Sequence, residues 1–254
     1  MTTLEAFAIL AAAFAAGAIN AVAGGGSLVS FPALLAAGYP AKAANVTNTV
    51  ALWPGYLGGS LAYRPELRRQ RRRVVLLLAP SILGALAGSA ILLSTPSDTF
   101  ETIVPFLILF AAALLVFQDR LAGFARAHRL VSEADGHIPL PLHAAMFVLA
   151  VYGAYFGAGL GILTIAVLAI LLPDDIQHSN ALKGMLSLLI NAAAVMYFAA
   201  FGPVRWGPAL IMAGGALAGG YLGVGVARRL GPRWLRLAIV AYAVVVAVVL
   251  LIDP

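Results

Sequence analysis

In the stretch NAVAGGGSLVSFPALL, from Asn20 to Leu35, three glycines and a serine interrupt an apolar run that extends from Phe7 to Ala37. One membrane-crossing helix needs roughly 20 residues, so the run is too long for a single ordinary crossing. Gly24, Gly25 and Gly26 have the weakest helix propensity after proline, and Pro32 has no amide proton to donate. The run therefore predicts two short helices meeting at a non-helical tip. Backbone opened at membrane depth is tolerated only where protein covers it or water fills a cavity, which makes Gly24, Gly25, Gly26 and Ser27 a candidate binding site. The alternative use of the glycines is close helix packing, although packing wants small residues four apart rather than three in a row.

The rest of the chain has the same character. It is 62% hydrophobic and 10% charged, against about one quarter charged in a soluble domain. Apolar runs with short polar interruptions, and no period-two alternation, predict an all-α integral membrane protein rather than a barrel. The longest polar segment, Gln118 to Pro139, is too short for a soluble domain. There are no cysteines, which excludes disulfides, thiol catalysis and thiolate metal sites; no cofactor or metal is expected. The net charge of +6 comes mainly from arginines in short loops beside apolar spans, so it points to orientation in a bilayer and not to nucleic acid. Ala21-Val22-Ala23 looks like a signal-peptide cleavage site, but the chain opens with Glu5 and no Lys or Arg, so the segment is expected to stay in the mature protein.

Beyond the first run, spans are expected over about Ala43 to Tyr63, Val74 to Leu93 and Ile103 to Phe117. The loop RPELRRQRRR between the first two carries Arg64, Arg68, Arg69, Arg71, Arg72 and Arg73 and is expected in the cytoplasm. A second overlong run, His143 to Leu172, is interrupted by GAYFGAGLG, with spans following over Asn180 to Phe201, about Ala209 to Val226, and a Val-rich stretch ending at Leu251. GALAGS (Gly84 to Ser89) matches GALAGG (Gly215 to Gly220), and Asn45 matches Asn180.

Each half thus reads as a broken, re-entrant helical hairpin plus three transmembrane helices: residues 1–118, a cytoplasmic linker over 119–139, and residues 140–254. If each broken run enters and leaves on one face, the loop holding Arg228, Arg229, Arg233 and Arg236 falls inside with the other basic segments; a single crossing would put it outside, against the charge rule. Three full crossings per half make the halves inverted repeats, a common transporter plan with substrate sites near the midplane.

Half-helix N-termini offer N–H groups and a positive partial charge, which suit an anion. Ser27 adds a hydroxyl or only a cap. Asn45 and Asn48 are three apart, as are Asn180 and Lys183, so each pair shares a helical face. Lys183 is one of two lysines and lies a turn inside a span; it either lines the site or snorkels to the surface. Lys42 reads as a solvated loop residue. Trp53 and Tyr56 line a pathway or pack the core. No Asp or Glu lies inside an expected span, which disfavours a cation pump or carboxylate relay. Asp174 and Asp175 look like a helix cap. A serine protease would need a base beside Ser27, and His128, His137, His143 and His178 all fall in the linker or near span ends.

With these motifs in place, NAVAGGGSLVSFPALLAAGYPAKAANVTNTVALWPGYLGGSLAYR and the later GAGLGILTIAVLAILL and HSNALKG resemble the TauE/SafE, or sulfite exporter, family of bacterial membrane proteins. The resemblance covers nearly the whole chain. It implies a multi-pass transporter of the bacterial inner (plasma) membrane, exporting sulfite, a sulfonate or a similar small sulfur-containing anion. By the same resemblance the glycine-rich segment matches Gly24 to Ser27, the Asn-rich helix matches Asn45, Thr47 and Asn48, and the second-half counterpart is Gly157 to Gly161 with Asn180 and Lys183. The expected partners are the lipid bilayer and a small anionic substrate. An anion channel and a carrier of another solute stay open. So does a homodimer, since the GALAG segments could pack within the chain or between chains.

Overall fold

A computed structural model describes residues 2–22, 24–62, 64–127, 138–172, 176–230 and 232–252. Every regular element among them is helical. The first half contains α1 (Thr3–Val22), α2 (Ser27–Ala36), α3 (Ala41–Ala62), the short α4 (Arg64–Arg69), α5 (Arg71–Ser94) and α6 (Ser97–Ala127). The second contains α7 (Leu140–Tyr155), α8 (Leu160–Leu171), α9 (Ile176–Phe201), α10 (Trp206–Leu230) and α11 (Pro232–Ile252). By length and composition Thr3–Ala21, Arg71–Ser94, Ser97–Ala125 and Gln177–Phe201 can each cross a membrane. Large apolar side chains such as Phe7, Leu83, Phe106, Val148, Leu210 and Val249 stand exposed on the outside, as lipid contact requires.

Both overlong runs break at their glycines, and both breaks close in the same way. The Gly24 amide donates to the Ile19 carbonyl at 3.0 Å, and the Gly157 amide donates to Tyr152 at 3.2 Å, a six-residue closure that ends a helix on a left-handed residue. Gly24 has φ of +80°, where a side chain is strained.

Three lengths differ from the sequence reading. The first arm is no half-helix: α1 has 20 residues, roughly 30 Å at 1.5 Å per residue, a full hydrocarbon thickness. Its start is set by a capping box, with Thr2 N donating to Glu5 Oε2 at 2.8 Å and Glu5 N to Thr2 Oγ1 at 3.2 Å. At the other end of the half, α6 continues through Ala127, well into the segment read as polar linker. Leaving the apolar layer does not end a helix whose residues still favour it; Arg120 lies 5.6 Å from the Phe117 ring centroid in that extension. Likewise α10 runs on to Leu230, into the last basic loop. Residues 128–137 of the linker, with His128 and His137, lie outside the described residues, as do Tyr63, Asp174 and Asp175.

Lys42 corrects another expectation. It belongs to the first turn of α3, is half-buried, and donates from Nζ to the Thr95 carbonyl. The bond ties the start of α3 to the turn between α5 and α6, where the carbonyls past a helix end take an outside donor.

The halves interlock. α1 packs along α10, and α5 along α7; α3 packs on α10, and α5 on α9; α6 packs on α11. The GALAG glycines make close contacts here: Gly84 and Gly88 lie against the backbone of Phe147 and Val151, and Gly215 and Gly219 against that of Leu10 and Phe14. Both GALAG segments therefore serve packing within the chain, where the missing side chains let helix backbones touch.

Candidate functional site

The two breaks approach each other at the head of α9. The last turn of α1 contributes Asn20 and Ala21, followed by Gly24; the second break contributes Gly157 and Gly161. Across from them α3 contributes Gly55, Tyr56 and Ser60. From α9 come Asn180, Lys183, Gly184 and Ser187, at the spacing of one helical face. Together they line a partly open cavity of about 30 Å³, enough to hold water or a small ion.

Lys183 is its dominant group. The side chain is 4% exposed, and Nζ has no hydrogen-bond partner among the described residues. The alternative of snorkelling to the membrane surface is not taken. Lys183 lies seven residues into α9, roughly 10 Å along the axis, and its Cδ packs near Gly161. Asn180 Oδ1 and Ser60 Oγ are buried without partners as well. None of the lining residues is acidic. A buried ammonium with no countercharge costs several kcal/mol, and an arriving anion removes that cost.

The backbone amides contribute less than the sequence suggests. Gly24 N is taken by Ile19, and Gly26 N donates to Asn20 Oδ1 at 2.8 Å. The amides of Leu28 and Val29 close onto Gly25 and Gly26. Asn20 was missed because its partner is set by the return of the chain through the break. Its signal was an amide side chain one turn before three glycines.

Of the residues singled out from the sequence, Gly24, Tyr56, Gly157, Gly161, Asn180 and Lys183 come together in the cavity wall. Gly25, Gly26, Ser27, Asn45 and Asn48 lie outside its lining. Gly25 faces Leu115, and Gly26 rests on the backbone of Ala16. Ser27 is the first residue of α2 and Gly26 its cap, with no side-chain capping bond. Asn45 braces the second break, its Nδ2 donating to the carbonyl of Tyr155, the last residue of α7, at 2.8 Å. Asn48 is buried on the same face with Oδ1 unpaired. Thr47 Oγ1 accepts from Arg205 N at 3.0 Å, fixing the loop before α10. Asn20, Ser60 and Ser187 are additions, and of the two uses open to Tyr56 it takes a place in the cavity lining. No group of three His, Asp or Glu comes together among the described residues.

Comparison with known proteins points to membrane transporters. The chain is 28% identical over 223 residues to a "Probable membrane transporter protein" of Haemophilus influenzae, covering 88% of this chain and 85% of the relative. It is 27% identical over 250 residues to "Probable membrane transporter protein ORF9" of a Sinorhizobium species, covering 97% and 92%. With "Probable membrane transporter protein YfcA" of Escherichia coli K12 it shares 25% over 247 residues, covering 95% and 87%. No solved structure matches the chain. The model of one family, Sulfite exporter TauE/SafE, matches residues 9–250, and with its helical breaks, apolar exterior and transporter relatives the chain belongs to the TauE/SafE family of membrane transporters.

Proposed function

We propose that this transporter carries a small sulfur oxyanion, sulfite or a short sulfonate, out across the bacterial inner membrane, with Lys183 as the countercharge. The observation that carries the reading is the buried Nζ of Lys183, which among the described residues has no hydrogen-bond partner and no acid beside it in the cavity lining. The family description supports the sulfur anion. A membrane potential negative inside favours anion exit by about 2.3 kcal/mol per charge per 100 mV.

The halves work as inverted repeats around this cavity. Exchanging the halves maps the α1–α10 packing onto α7–α5, and the α3–α10 packing onto α9–α5. Direction supports the inversion. Successive contacts of Gly84 and Gly88 with Phe147 and Val151 run α5 and α7 in the same sense, and those of Leu10 and Phe14 with Gly215 and Gly219 do the same for α1 and α10. Gly55 against Ala216 and Gly58 against Tyr221 run α3 with α10, and so with α1. Thr47 beside Arg205 and Ser60 beside Gly184 run α3 against α9. Gln70 donating to the His178 carbonyl brings the start of α5 to the start of α9, so α5 runs against α1. α7, the counterpart of α1, therefore runs against it too. A binding cavity between two opposed halves is the arrangement that alternating access uses.

Counterflow in liposomes tests the reading. Saturable exchange of sulfite or a sulfonate that Lys183→Ala removes is the expected result. Unsaturated conductance identifies a channel, and full exchange by a folded Lys183→Ala protein overturns the role of the lysine.

A further inference from the structure

Beside the Lys183 cavity, an open groove of about 720 Å³ lies on the flank of α3, α4, α5 and α9. Its wall is almost wholly apolar: Leu57 and Leu61 from α3, Val74 and Val75 from α5, Met185 and Leu188 from α9. At one rim stand Arg64, Arg68 and Arg71. Arg64 and Arg68 are four apart on α4 and share its face, while Arg71 opens α5. All three are exposed, and no acidic residue lines the groove. Glu66, the acid of this segment, sits two residues from each of the α4 arginines and is not part of the wall.

An apolar trough ending in a cationic rim complements a hydrocarbon chain ending in a phosphate. A water-soluble anion would leave the trough uncovered, and a zwitterionic lipid would meet the arginines with a cation of its own. We propose that the groove seats one anionic phospholipid, its acyl chain along Leu57, Leu61, Val75 and Leu188 and its phosphate on Arg64, Arg68 and Arg71. Helices that bring a basic rim to an apolar cleft at the membrane surface bind acidic headgroups in this way.

The seat backs onto the cavity. Ser60 lines both hollows, and α9 turns Lys183, Gly184 and Ser187 toward the cavity while Met185 and Leu188 face the groove. A seated lipid thus supports the cavity wall from behind. The site does not depend on which solute is carried.

Native mass spectrometry of the full chain, released from nanodiscs of phosphatidylglycerol or phosphatidylcholine, tests the proposal. The wild type should keep phosphatidylglycerol and shed phosphatidylcholine. R64Q/R68Q/R71Q should weaken phosphatidylglycerol retention roughly 100-fold, at a few-fold per arginine. R69Q/R72Q/R73Q removes equal charge from the same segment outside the groove and should retain the lipid. Leu188→Trp, which fills the trough without touching charge, should weaken retention too. Equal retention by both triple variants, equal retention of phosphatidylcholine, or displacement of the lipid by inorganic phosphate alone would overturn it.

Discussion

Gly24 and Gly161 meet backbone to backbone: a methyl carbon on Gly24 would lie 2.8 Å from the Gly161 Cα, and one on Gly161 would lie 2.9 Å from the Gly24 Cα. Neither residue can gain a side chain without moving the other's chain. Through this contact the two breaks, far apart in sequence, form one wall of the cavity.

Gly161→Ala should therefore lower stability by about 1–3 kcal/mol, the usual cost of overpacking. Gly24→Ala should cost more, because it adds strain at a φ of +80°. The double variant should cost less than the sum, since a backbone shift that admits one methyl admits both. Melting of the three variants in one detergent checks this, and strict additivity would deny the contact.

Lys183→Met separates function from stability. Replacing an unpaired buried cation with an apolar chain of similar length should stabilise the ligand-free protein, by about 1–4 kcal/mol on the precedent of buried charges exchanged for hydrophobic residues. The same change should remove the thermal protection given by sulfite or a sulfonate, since a ligand that binds only the native state raises apparent stability. Protection that survives the substitution would take the lysine out of the site.

Two asparagines at matched sequence positions should behave in opposite ways. Asn180 lines the cavity with Oδ1 unpaired, so Asn180→Ala should weaken anion protection with little loss of stability. Asn45 holds the Tyr155 carbonyl, so Asn45→Ala should cost about 1–3 kcal/mol of stability through the acceptor left buried and unpaired. Melting curves with and without anion distinguish the pair, and identical behaviour would contradict the assignment.

Asn20→Ala removes the acceptor of the Gly26 amide. Stability should fall by about 0.5–2 kcal/mol, as for loss of a helix cap. Faster hydrogen exchange confined to the start of α2 is the accompanying signature; unchanged exchange there would show that another group holds the amide.

Much of the fold was legible in the residues. Gly24 to Gly26 and the glycines from Gly153 to Gly161 marked both breaks, because helix propensity and left-handed backbone are local properties. The arm lengths were less legible: Thr2 and Glu5 begin α1 before the apolar run does, and α6 outlasts its own apolar stretch. A hydropathy boundary marks where lipid ends, not where a helix must.

The candidate site was legible in kind and not in arrangement. Composition established an apolar, membrane-embedded helical chain with few acids, and spacing put Asn180 and Lys183 on one face, because both follow from the order of residues along a single helix. Partnership does not. That Asn20 takes the Gly26 amide, that Asn45 reaches Tyr155 across 110 positions, and that Lys183 Nζ is buried with no hydrogen-bond partner among the described residues are outcomes of packing between distant segments. Free polar groups are what remains after every other donor and acceptor has found a neighbour, and that remainder exists only once the whole chain is folded.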